Sequence, residues 1–461
     1  MCELAGVATA SLTCEGFIGQ AAATSIGLGF PNLPVALVPG HSGVQGPEEL
    51  RKNILSVTLD RVIDNLTRMP PPAGKKGEPG ARDIVAKGGF KAVNRYFYEN
   101  ELSDGLPIVP PTRPDIDAFL RFTDRDPDES LGVILPDSRT ATIWSVAANG
   151  VMAGCRPEYM PILVALAEAM CDPKYGVEHS GNTPGGETLI ILNGPIIKQL
   201  GFNYTQGVMR DGFMPNTTIG RFWRLYLRNV AGFLPHKTDK ATHGNTWRVV
   251  LAENEDVLAK IGWEPNSVEM GFQAGDNVVT IGRYTGGGAF PSVMGDTPQK
   301  VLPYITDSVL KYHSWQIHFT EASGDGSLRP LVVLSPILAE TIAKAGWSKH
   351  DVKRYFFEHA RLPASKFEHF LREWTVKGTW NLEQAVKEGR MPMLFAESSD
   401  PDRMVPIVWD AKDFMVVVSG DPMRNNAYVF AHNAFMGYPT GKKIKLVKDW
   451  ERLLEESKAA G

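Results

Sequence analysis

Thiols at Cys14 and Cys155, imidazoles at His41, His179 and His243, and the carboxylates of Glu253 and Glu255 could do covalent or acid–base chemistry in this 461-residue sequence. Cys14 follows an apolar run and opens an Ala- and Ile-rich stretch at helical spacing. A thiol between a strand and a helix start meets free N–H groups and positive partial charge, which favour the thiolate. That position is also the crevice edge of an open α/β sheet, where ligands bind. Cys155 sits in Gly154-Cys155-Arg156, between two predicted helices, with Pro157 suited to the first turn of the second. Arg156 beside it could stabilise a thiolate. A packed, inert thiol is the plainer alternative at both positions. Cys2 reads as frayed and Cys171 as structural, and four cysteines in a chain this long make no disulfide framework.

Glu253-Asn254-Glu255 follows the apolar run Val249-Val250-Leu251. If the strand continues, Glu253 and Glu255 share one side and Asn254 faces the other. Such a pair suits general acid–base work or metal ligation, with surface acids as the alternative. His179 (GVEHSGNTPGG) and His243 (KATHGNTW) lie in Gly-, Asn- and Thr-rich segments where an imidazole is accessible, and His41 follows a strand in Pro-Gly-His-Ser-Gly. No cysteine or histidine pair has structural-zinc or zincin spacing. A divalent metal held by His179, His243 and Glu255 is the alternative to thiol chemistry. Arg221, Arg224 and Arg228 recur along one flank of a helix, and the planar fork of Arg221 could clamp a substrate carboxylate. The run Tyr284-Thr285-Gly286-Gly287-Gly288-Ala289 is not followed by Lys-Ser/Thr, and no G-x-G-x-x-G opens a helix after the first strand. No nucleotide cofactor is indicated, and 284–296 reads as an active-site loop or lid.

The elements that must position these groups divide the chain in two. Residues 1–68 alternate a strand (Leu4–Ala10), a helix (Cys14 to Ile26), a strand (Val35–Val38) and a helix from Pro47 whose inward face is Leu50, Ile54, Val57, Val62 and Leu66. This is a βαβα half of a doubly wound unit, with a core too small to stand alone. Residues 69–89, rich in Pro, Gly and Lys, form a linker. Residues 90–461 form a larger α/β domain. DGLPIVPPT (104–112) must be extended, and helices over Ala141–Met152 and Pro157–Met170 follow. GGETLIILNGPIIKQLGF (185–202) and LRPLVVLSPILAETIAKAGW (328–347) share one plan, a buried strand feeding a helix started by Pro. The echo suggests a pseudo-duplicated domain with sub-units 90–270 and 271–461. A last strand, Phe414–Val418, and an amphipathic helix from Lys448 close the chain.

The run SLTCEGFIGQAAATSIGLGFPNLPVALVPGHSGVQGPEELRKN (11–53) resembles the UGSC-like domain, a family related to the selenoprotein subunits of glycine and proline reductases. Ser11-Leu12-Thr13-Cys14 occupies that family's redox motif, Gly29-Phe30-Pro31 its turn, His41 its histidine and Glu48-Glu49 its helix start. The first redox position is Ser11, so no local disulfide or selenenyl sulfide can form with Cys14. SDGLPIVPPT (103–112), ATIWSVAANGVMAGCRPEYMPILVALAEAM (141–170), LIILNGPI (189–196), NTTIGRFWRLYLRNVAGFLP (216–235), AENED (252–256) and GWSKHDVKRYFFEHARLP (346–363) are similar to the large domain that accompanies such modules.

The expectation is a cysteine-dependent enzyme that cleaves or forms a carbon–heteroatom bond in a small polar molecule, reductively or by elimination. The family relation favours reduction and Ser11 favours elimination, addition or hydrolysis. Cys14 or Cys155 would be nucleophile or proton donor, His41 or His179 the base, and Glu253 or Glu255 the second acid–base group. Ser11, Thr13, Arg156, Arg221 and Asn254 would bind substrate. The rivals are a metal-dependent lyase or hydrolase and a non-catalytic binding subunit. The 48 basic side chains stand against 52 acidic ones with no basic block, which argues against nucleic acid as a partner. No apolar run nears the ~20 residues that span a bilayer, and no secretory signal is visible. A cytoplasmic homo-oligomer is expected.

Overall fold

Branched apolar runs bounded by Gly and Pro become the strands of one mixed sheet, and a short parallel pair stands apart from it. The computed structural model describes Cys2 and residues 7–27, 30, 33–67, 79–290, 292–314, 326–374 and 381–460. Ser11–Cys14 (β1) and Val35–Val38 (β2) are that pair, with Ser11 opposite Val35 and Cys14 opposite Val38. Parallel strands need a crossover, and the helix Ile18–Gly27 supplies it. The helical stretch 47–67 then completes a βαβα module. The strand that pairs with Val35–Val38 is therefore Ser11–Cys14, and the described end of the apolar run expected as a strand, residues 7–10, lies outside it. Leu4, Gly29, Pro31 and the first ten linker residues lie outside the described residues.

The long helix of the module also turns a different face inward. A π-helical turn at Ile54–Thr58 separates Pro47–Asn53 from Leu59–Thr67 and rotates the two halves against one another. Buried Thr58 donates from Oγ1 to the Leu37 carbonyl at 2.8 Å, while Ile54, Val57 and Leu66 are exposed.

In the large domain Ser130–Ile134 (β3) and Arg139–Thr142 (β4) make a hairpin. Glu187–Asn193 (β5), Val250–Ala252 (β6), Val278–Phe290 (β7), Leu331–Leu334 (β8), Met415–Val418 (β11), Ala427–His432 (β12) and Thr440–Lys443 (β13) form the seven-stranded sheet. Arg361–Pro363 (β9) and Met404–Pro406 (β10) pair apart from it. The sheet order β11-β8-β12-β7-β5-β6 contains one three-strand arrangement twice. In each half the first strand lies in the middle, parallel to the second and antiparallel to the third: β5 with β6 and β7, and β8 with β11 and β12. These two triplets join through β7 and β12, and because β7 follows residue 270 the sheet crosses the 270/271 boundary where β5 pairs with β7.

Alternate side chains of these strands are buried on both faces, as expected of strands covered by helices. Ile190, Leu192, Val250 and Val279 pack under the helices Ile143–Ala153, Met160–Met170 and Met214–Tyr226. Val332, Leu334, Val416 and Val429 pack under Pro298–His313 and Lys349–His359. Leu189, Ile191, Leu251, Leu331, Val417 and Phe430 form a third core on the remaining face. The sheet curls until its two edges meet: Asn254 N donates to the Val418 carbonyl at 2.8 Å and Ser419 Oγ to the Ala252 carbonyl at 2.7 Å.

Two expectations fail here, the first for a steric reason. Residues 284–290 are not a lid but the second half of β7, paired with β12. Glycine is required because a Cβ on Gly287 would lie 2.4 Å from the Val429 carbonyl and one on Gly288 would meet the Tyr312 hydroxyl. Met415–Val418 is followed by two more strands, β12 and β13, before the closing helix Trp450–Ala460. Among the described residues, no helix is long and apolar enough to cross a membrane.

Candidate functional site

The carboxyl edge of the β1–β2 pair gathers Cys14, His41 and Ser42. Cys14 ends β1, and its thiol lies 3.7 Å from Ser42 Oγ. Glu15 Oε2 accepts from Gly40 N at 3.4 Å, holding the loop after β2 against the end of β1. His41 Nδ1 accepts from Gly43 N at 3.0 Å. A backbone N–H can only donate, so the neutral ring carries its proton on Nε2 and offers a donor, not a base, to the outside. Ser11 and Thr13 share the opposite face of β1 from Cys14. A second redox group at position 11 would therefore face away from the thiol.

The Phe17 ring leans on His41, with centroids 5.8 Å apart, and also lines a cavity of about 600 Å³ between the module and the large domain. Phe17 and Gln20 form one wall. Glu178, His179, Asn182, Thr183, Thr242, Asn433, Phe435 and Met436 form the others. Polar side chains outnumber the apolar ones in this lining, which suits a small polar molecule. The helix Ile18–Gly27 can approach because residue 19 is glycine: a Cβ there would already lie 3.3 Å from the Lys237 carbonyl.

His179 sits in the single turn Val177–Gly181, its ring 5.2 Å from that of Phe435. Asn182 Nδ2 donates to the His179 carbonyl at 2.7 Å. Beneath them Arg283 is buried, donating to Ser180 Oγ at 2.7 Å and to the Met436 carbonyl, with its guanidinium 4.4 Å above the Tyr175 ring. One side chain thus ties the His179 turn to the Phe435 turn. His432 Nε2, 3.0 Å from the Gly437 carbonyl, braces the Phe435 turn against the end of β12.

The other candidate residues are elsewhere. Cys155 is buried; desolvation pushes its thiol up to about 12, despite the opposing influence of Thr218 and Arg221. That is the reverse of the lowered value expected at a helix start. Its neighbour Arg156 pairs with Glu158 at 3.7 Å. Arg221 is no free clamp: it forks onto Asp104 at 3.0 and 2.9 Å and donates to the Pro107 carbonyl at 2.9 Å, which holds the extended DGLPIVPPT segment.

Glu253 and Glu255 converge, but not through strand alternation. The strand β6 ends at Ala252, and Asn254 caps the helix Glu255–Ile261 by accepting from Val257 N at 3.2 Å. Both carboxylates accept from Asn193 Nδ2, at 2.7 and 3.0 Å. Glu253 is fully buried and also accepts from Asn266 N at 2.7 Å and Val418 N at 3.3 Å, with Lys349 3.6 Å away. Desolvation raises its pKa against the pull of Lys349 and these donors. It is a rivet where the sheet edges meet. Glu255 lines a separate cavity of about 350 Å³ with Lys198, Tyr204 and Asp256.

His243 lines a third cavity, so His179, His243 and Glu255 do not converge, and among the described residues no group of three metal-ligating side chains does. Sequence reasoning missed Phe435 and Arg283, whose partners His179, Ser180 and Met436 are more than 100 residues away, and Phe17, whose ring meets His41 across the β1–β2 crossover. It also missed Arg248, although Lys240, His243 and Arg248 within nine residues were a visible basic signal. No family model, curated protein or solved structure matches the chain, so the UGSC-like likeness rests on its motif residues alone.

Proposed function

We propose that the chain is a cysteine-dependent enzyme that breaks or forms a carbon–heteroatom bond in a small polar molecule held in the cavity between the module and the large domain. The observation that carries this reading is Phe17, which touches His41 beside Cys14 and walls the cavity that contains His179. Elimination and its reverse fit better than reduction, since Ser11 takes the first redox position and lies across the strand from Cys14. In the forward step His179 takes a proton from carbon, the bond to the heteroatom breaks with its electron pair leaving on that atom, and the Cys14 thiol gives the leaving group a proton. The Nε2–H of His41 stabilises charge on the departing atom. Protons then return through solvent, with no net oxidation.

Two properties follow from the same reading. Leu55, Leu59, Ile63 and Leu66 on the module are about half exposed, which supports a homo-oligomer. The cysteines are unbonded, which supports a reducing, cytoplasmic setting.

The test is turnover of small polar compounds bearing an amine, hydroxyl, thiol or halide next to an acidic C–H. Turnover that falls at least about a hundredfold in Cys14→Ser and in His179→Gln, but not in Cys171→Ser, is expected. Undiminished turnover in Cys14→Ser contradicts the reading, and ligand binding without turnover moves the chain to the class of binding subunits.

A further inference from the structure

Adjacent residues of one segment line two cavities: Thr242 the one beside the module, Ala241 and His243 a second of about 470 Å³. The segment is held by a short run of backbone bonds, Lys240 N to the Gly181 carbonyl at 3.0 Å and Thr242 N to the Thr183 carbonyl at 2.9 Å. Asn245 Nδ2 adds bonds to the Gly185 and Thr285 carbonyls at 2.8 and 3.1 Å. The second cavity is lined by Arg224, His236, Lys240, His243 and Arg248, with Asp239 as its one acidic residue.

The acids near this cavity are already satisfied. Asp239 takes Arg224 at 3.0 Å on Oδ2 and Ala241 N at 3.2 Å on Oδ1. Glu187 accepts from Thr188 N at 3.0 Å and faces Arg224 at 3.6 Å. Asp104 takes both arms of Arg221, so Arg248 comes no nearer to it than 3.7 Å. Arg248 is thus a surplus cation. Its Nε is shielded from solvent without a hydrogen-bond partner, and among the described residues that distant pair with Asp104 is its only ion pair. No hydrogen bond holds the rings of His236 or His243 within the described residues. A buried donor left unmade costs about 1–3 kcal/mol, and an oxyanion with several lone pairs would relieve it.

We propose that this cavity is a binding site for the oxyanion of a small molecule, a carboxylate or a phosphate, with Arg248 as its principal donor and His243 and Lys240 beside it. A guanidinium suits this because its planar fork matches the geometry of both groups. The site does not depend on Cys14 chemistry, although its place across one segment from the first cavity suits the charged end of a substrate whose other end reacts there.

Isothermal titration of the full chain with inorganic phosphate, and separately with acetate, tests this. Saturable binding of one probe is expected, weakened at least about tenfold in Arg248→Gln and measurably in His243→Gln. Cys14→Ser and Arg452→Gln, the latter on the exposed closing helix, should leave it unchanged. Whichever probe binds names the group. Among the described residues the Arg248 side chain makes no short bond, so its variant should fold, as circular dichroism would verify. No saturation by either probe up to about 50 mM, or binding that survives both substitutions, overturns the proposal.

Discussion

The module at 7–67 and the body that carries the seven-stranded sheet bury their groups to very different degrees. In the body several ionisable side chains are sealed inside with bonding partners, as with Glu253 beside Lys349 and with His313 and His432. In the described part of the module only Ser25, Ala36, Val38 and Thr58 are buried, while a row of leucines and isoleucines stays half exposed. The body therefore offers walls fixed by Arg283 and His432, and the module adds Phe17 and Gln20 to them, with Phe17 against the His41 ring. Docking of the module, more than its own stability, decides whether a site exists.

Acid should separate the two regions most strongly. His313 Nδ1 donates to the Val309 carbonyl at 2.8 Å and its Nε2 accepts from His432 N at 3.3 Å, so the ring is held neutral; His432 is held likewise between Arg329 N and the Gly437 carbonyl. Burial lowers them to about 4 and about 3. The unfolded chain binds these protons first, so stability falls as pH drops below ~6.5 and goes on falling until the folded values are reached. Each histidine should cost the body about 3 kcal/mol between pH 7 and pH 4. Urea titrations across that range check it, and His432→Gln should flatten the slope.

Next in size, Glu253→Ala should destabilise the body by about 2–4 kcal/mol, because it leaves the buried N–H groups of Asn266 and Val418 without an acceptor, while Lys349 keeps the Glu264 carbonyl and Glu269 and Asn193 keeps Glu255. A shift in urea midpoint equivalent to less than ~1 kcal/mol would show that the meeting of the sheet edges carries little. Thr58→Val removes one buried hydrogen bond and should cost the module about 1 kcal/mol, read as faster amide exchange in 35–38 with no change in the body. Smallest of all, Ile63→Gln should move stability by no more than about 0.5 kcal/mol if water covers that face. A larger loss, dependent on protein concentration, would show that a second copy covers it.

The body was legible in sequence where strands are apolar runs punctuated by proline, as at β5 and β8, since burial on both faces leaves a continuous hydrophobic signal. The run 284–290 was not, because glycines that read as a loop are there to admit the Val429 carbonyl and the Tyr312 hydroxyl. The module misled in register and in helix face, because a half-buried pair of strands and a π-helical turn leave little periodic pattern. Cys14 and His41 were legible from their places after strands. The roles of Arg221 and Arg248 were not, since Asp104, more than 100 residues from either, decides which guanidinium is spent.

The most direct test of the central claim is alkylation of the native protein with iodoacetamide, with each adduct mapped and turnover followed as labelling proceeds. Cys14 should be labelled in step with loss of turnover while buried Cys155 stays unmodified until the chain unfolds. Full labelling of Cys14 with turnover intact would contradict the account.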